Sequence, residues 1–146
     1  VNADVESDPG RPAPGVRAAL TTITALLFLE AVGMIAIVGW LVVDLFALQP
    51  SSYATAIALI VLAAVGAIWT LGVAIASLKR RSWSRAAAIV WQVLQLSIAV
   101  GAFQGLFARP DLGWLLLVPA VVVTGLLLWA PVRLAYTPDP GTPAAP

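Results

Sequence analysis

Apolar residues in this chain fall in four long runs, without the stripe of a soluble helix or the alternation of a strand. The runs cover about residues 20–43, 53–78, 86–107 and 114–134. A helix that crosses a bilayer needs roughly 20 mostly apolar residues at ~1.5 Å rise each, and every run is long enough. None carries a charged face that would mark a water-exposed amphipathic helix. The punctuation between runs is short and polar. Asp44–Ser52 contains Pro50, which stops one helix and starts the next. Lys79–Arg85 offers Ser82 or Ser84 as an N-cap, and Ala108–Gly113 offers Asp111. Such links set consecutive helices antiparallel. The pattern predicts an all-α membrane protein with four transmembrane helices in an up-down-up-down bundle.

The flanks differ in kind. Residues 1–17 hold Asp4, Glu6, Asp8, Pro9, Gly10, Pro12 and Pro14, and residues 137–146 hold Pro138, Pro140, Pro143 and Pro146. Both read as disordered tails around a transmembrane domain of residues 18–136. The first run exceeds the about 7–15 apolar residues of a signal peptide and is expected to be retained.

Composition narrows the chemistry. The 146 residues are 61% hydrophobic and 10% charged, against about 25% charged in a soluble domain. There is no Cys and no His. That removes thiol chemistry, imidazole bases and the usual zinc, haem and iron–sulfur ligands. A net charge of +1 gives no footprint for nucleic acid. No enzyme activity and no cofactor or metal are expected.

The basic residues set an expected orientation. Arg11, Arg17, Lys79, Arg80, Arg81, Arg85 and Arg133 fall on one side of such a bundle, and Arg109 alone on the other. Lys and Arg beside membrane helices stay cytoplasmic, so both termini and the Lys79–Arg85 turn are expected in the cytoplasm of a bacterial plasma membrane. Lys79, Arg80, Arg81 and Arg85, with Trp83 among them, are also candidates to bind anionic lipid headgroups; the plainer reading is a topology signal.

Few polar groups lie inside the runs. Counted from the basic end, Glu30, Thr70, Gln95 and Thr124 fall at about one depth, ~12–15 Å in, with Gln92 a turn nearer the basic side. This suggests a buried hydrogen-bonded layer with Glu30 bonded to Gln95, Thr70 or Thr124. An unpaired acid there costs ~2.5–3.5 kcal/mol or more. Glu30 therefore reads either as a proton or cation site or as a neutral residue that fixes helix register. Trp69 and Trp91 read as bundle filler, and Pro119 is expected to kink the fourth helix.

Small residues at spacing four let helix backbones approach closely. One such seam is Gly66, Thr70 and Ala74; the other is Ser97, Gly101 and Gly105. On a helical wheel the second seam points away from Gln92 and Gln95, which suggests a homodimer or a larger membrane complex.

Two resemblances follow from particular phrases. Leu94-Gln95-Leu96, Phe103-Gln104-Gly105 and Ala108-Arg109-Pro110-Asp111 with Gly113-Trp114 resemble small four-helix integral membrane proteins of unknown function from high-GC Gram-positive bacteria. Glu30-Ala31-Val32-Gly33 is similar to the acid-containing first helix of the small multidrug resistance transporters. That second resemblance implies exchange of protons for lipophilic cations at Glu30. Its Ala67-Ile68-Trp69-Thr70 counterpart lies in the second run here, not the third, and the strong basic bias departs from that family's pattern. The leading functional expectation is a non-enzymatic accessory or interaction subunit in the lipid bilayer. The alternative is a proton-coupled transporter or channel using Glu30.

Overall fold

A computed structural model of the chain describes residues 13–48, 50–104 and 108–136. It is built from helices α1 (Pro14–Ala47), α2 (Tyr53–Leu78), α3 (Ser82–Ala102), α4 (Pro110–Leu128) and the short α5 (Ala130–Ala135). The first four are long and apolar enough to cross a membrane, as a multi-pass membrane protein requires. Of the expected tails 1–17 and 137–146, residues 1–12 and 137–146 lie outside the described residues, as do Arg11 and Gly105.

Helix limits differ from the apolar runs in instructive ways. α1 has 34 residues, a length of ~51 Å, well beyond the ~30 Å hydrocarbon core. Residues 14–17, expected in the tail, form its first turn, with Pro14 where a missing N–H costs nothing. The fourth run is two helices: α4 stops at Leu128, Trp129 is extended, and α5 restarts with Pro131 near its start. Pro119 sits inside α4, and the helix continues through it.

The caps are local chemistry. Ser52 caps α2, its Oγ accepting the Thr55 N–H at 3.4 Å. α3 starts from Arg81, not from Ser82 or Ser84, and the Ser84 hydroxyl donates to the Arg81 carbonyl at 2.7 Å. Asp111 lies in the first turn of α4 and takes a two-pronged ion pair from Arg109, at 3.0 and 3.2 Å, instead of capping. α2 ends in a Schellman turn: the Arg81 N–H donates to the Ala76 carbonyl and the Arg80 N–H to the Ser77 carbonyl. Arg80 occupies its left-handed position at φ 51°.

α1 packs most closely on α2 and α3 on α4; the two hairpins meet more sparingly through α2–α3 and α1–α4. The core is lopsided. Every buried residue of α1 lies at or before Ala31, and every one of α2 at or after Ala67. Ile23, Leu27, Val73, Val123, Leu127 and Val132 are almost or wholly enclosed, all toward the end that carries the Lys79–Arg85 turn. α5 closes that end, its following Tyr136 hydroxyl paired with Ser77 Oγ at 2.8 Å in the interior. Arg85 closes it further, donating Nε to the Leu127 carbonyl at 3.1 Å, a carbonyl left over at the end of α4. Toward the other end the hairpins part, and large apolar side chains such as Trp40, Phe46, Leu62 and Leu115 are exposed, as lipid-facing residues are.

Candidate functional site

Where the hairpins part, a cavity of about 370 Å³ lies between α1, α3 and α4. That is within the roughly 300–1,000 Å³ of small-ligand sites. Its walls are apolar, among them Leu26, Met34, Leu116 and Pro119. Leu29, Ile37, Leu94, Ile98 and Leu115 also line it and are each half or more exposed, so the cavity is a cleft open sideways to the membrane. Gly33 forms part of the α1 wall, and a side-chain carbon there would touch nothing within 4 Å. Three lining residues are polar or have a polar edge: Glu30, Trp91 and Gln95.

Glu30 holds its carboxylate toward α3. Trp91 donates its indole N–H to Glu30 Oε2 at 3.1 Å, and Gln92 donates Nε2 to the same oxygen at 3.1 Å and to Oε1 at 3.4 Å. These bonds cross between α1 and α3, helices whose backbones do not otherwise meet. Gln92 is almost fully buried, and its Oε1 has no hydrogen-bond partner. The α1–α3 connection therefore rests on one carboxylate and the donors of α3 that face it, chiefly Gln92 and Trp91.

The expected polar layer is redrawn. Thr70 is fully buried and donates to the Gly66 carbonyl of its own helix at 2.7 Å, not to Glu30. Gln95 lines the cleft, its Nε2 donating to the Leu116 carbonyl of α4 at 3.1 Å, and it is a lesser hydrogen-bonding partner of Glu30. Pro119 has no N–H for the Leu115 carbonyl four residues back, so Gln95 supports α4 beside the turn that its proline interrupts. Thr124 is half-buried on α4 and makes no bond to Glu30. Trp91, read from the sequence as filler, is instead a direct partner of the acid. Its neighbour Gln92 was a candidate already; the adjacent Trp-Gln pair was the available signal.

The two small-residue seams part company. Ala74 is fully buried, and Gly66 is approached by Met34 Cε and the Trp91 ring, so that seam faces the interior. Ser97 and Gly101 are exposed, Ser97 bonding only to the Val93 carbonyl of its own helix, and a carbon added at Gly101 would touch nothing. Of the basic turn, Lys79, Arg80 and Arg81 are exposed, whereas Arg85 is turned inward to Leu127. Among the described residues no cluster of three acids could hold a metal ion. Comparison with protein families, with curated proteins and with solved structures finds no match.

Proposed function

We propose that this is a non-enzymatic protein of a bacterial plasma membrane that binds a lipophilic small molecule in the Glu30 cleft. The observation that carries this reading is the combination of an apolar, laterally open cavity and one carboxylate fixed at its wall by Trp91 and Gln92. An acid in the membrane interior is costly, and a bound partner group is the ordinary reason to keep one there. The basic bias supports cytoplasmic termini and a cytoplasmic Lys79–Arg85 turn, with Lys79, Arg80 and Arg81 free to meet anionic headgroups. The resemblance to small membrane proteins of high-GC Gram-positive bacteria supports the same membrane.

Binding is the narrower reading, and proton-coupled transport is the wider one. Transport needs a second opening, and the basic end is closed by Ile23, Leu27, Leu127 and α5. The experiment for binding is native mass spectrometry of protein released from its own membrane. A co-purifying small lipophilic molecule is expected on wild type and not on Gly33→Phe, which fills the cleft. Proton release on adding lipophilic cations, present in wild type and absent in Glu30→Gln, would extend binding to transport.

An accessory subunit is the second reading, favoured by the uncovered Ser97–Gly101 face of α3. Gly101→Ile should leave the isolated protein as stable as wild type and remove a partner recovered in mild detergent.

A further inference from the structure

Resting on the cleft as a binding site, the free polar atoms in its wall specify what the guest carries. The Trp91 indole N–H is committed to Glu30, and the Gln95 amide nitrogen is committed to the Leu116 carbonyl and, as a lesser partner, to the Glu30 carboxyl. What remains for a guest is the Glu30 carboxylate and the Gln95 amide oxygen, which accepts no bond. Both are acceptors. The rest of the lining is hydrocarbon, glycine and the proline ring. We propose that the cleft selects a lipophile headed by a hydrogen-bond donor, an O–H or N–H group, and rejects lipophiles of the same size that carry no donor or only acceptors.

The physical basis is the solvent. A donor dissolved in the hydrocarbon core has no acceptor there, so its bond to Glu30 replaces nothing that the bilayer supplied. An alkane or an acyl chain gains nothing on entering the cleft that it did not already have among lipid tails. An acceptor-only guest such as an ester would face Glu30 and the Gln95 oxygen with no donor between them, and partial charges of one sign at close range repel. The apolar body lies against Leu29, Met34 and Ile98 and continues sideways into the lipid through the exposed wall.

Four probes built on a twelve-carbon chain test this on the full chain in lipid nanodiscs: dodecanol, dodecylamine, dodecane and methyl dodecanoate, the last an acceptor only. Binding is read as the shift in thermal unfolding midpoint, with Gly33→Phe as the control for effects on the bilayer. Dodecanol and dodecylamine are expected to shift wild type and not Gly33→Phe; dodecane and methyl dodecanoate should shift neither. Glu30→Gln separates the two donors. Its amide oxygen still accepts from the alcohol, so dodecanol affinity should fall less than about tenfold, while dodecylamine loses its counter-charge and should fall by more. Equal shifts from all four probes, still sensitive to Gly33→Phe, would overturn donor selection and leave the cleft as a general lipophile site. No shift sensitive to Gly33→Phe from any probe would overturn the binding reading itself.

Discussion

The Trp91 indole N–H donates to Glu30 Oε2 at 3.1 Å, joining residues 61 positions apart in the chain. With Gln92 on the same oxygen, this is where α1 is tied by hydrogen bonds to α3. Replacing Glu30 by Leu removes the acceptor and strands two donors. Each stranded donor costs about 1–3 kcal/mol in an interior. Glu30→Leu should therefore lower the unfolding midpoint clearly, whereas Glu30→Gln, which keeps an acceptor oxygen, should stay within about 1 kcal/mol of wild type. Chemical or thermal unfolding in one detergent compares the two. Equal stability of the Leu variant and wild type would mean that the bonds do not hold the hairpins together.

Two glycines should answer differently to the same substitution. A carbon added at Gly113 would come within 2.7 Å of the Phe103 ring, which is itself set edge-on to Trp114 with centroids 5.5 Å apart. Gly113→Ala must displace that ring and should cost about 1–3 kcal/mol. At Gly66 the added carbon would press on the mobile tip of Met34, at 2.9 Å, and meet the Trp91 ring only at ordinary contact distance, 3.6 Å. Gly66→Ala should be nearly neutral, since Met rearranges readily. Unfolding midpoints of the two variants check the order.

Much of the architecture is legible in the sequence because hydrocarbon is an undemanding solvent. A run of roughly 20 apolar residues has few other ways to satisfy its backbone than a spanning helix. The limits of those helices are less legible. Pro14 starts α1 amid residues whose composition reads as a tail, and Trp129 breaks a run that is apolar throughout. The polar layer failed for the same reason. Depths counted from the apolar limits ignore that α1 extends past α3 at the basic end, so Glu30 lands opposite Trp91 and Gln92, with Gln95 only a lesser partner. Gln95 is the lesser partner because its Nε2 is engaged by the Leu116 carbonyl of α4. The wheel did separate Ser97 and Gly101 from Gln92 and Gln95, because a face is fixed by local helical period alone.

The turn at the basic end carries a strained residue. Arg80 is left-handed at φ 51° in a Schellman turn whose usual occupant is Gly. Arg80→Gly should remove a strain of roughly 1 kcal/mol and raise the unfolding midpoint slightly. Arg80→Ala, which keeps the strain and loses the same charge, should not. A gain in both variants would assign the effect to charge.

The proposed orientation, argued from the basic bias, is tested with single cysteines in a chain that has none of its own. Cys at Ser51 or Leu112 should react with an impermeant thiol reagent from outside intact cells, and Cys at Ser82 should not. The opposite pattern would reverse the bundle, and a mixture would mean two topologies.

The cleft is tested most directly by where a guest attaches. Protein in native-like membrane is irradiated with a long-chain alcohol that carries a photoreactive diazirine beside its hydroxyl, and the labelled peptides are mapped by mass spectrometry. Labelling is expected at the cleft wall, on α1 around Glu30–Met34 and on α3 around Trp91–Gln95, displaced by excess dodecanol and lost in Gly33→Phe. Labelling spread evenly over lipid-facing positions such as Leu62 and Val121, unchanged by dodecanol or by Gly33→Phe, would contradict a binding site at Glu30.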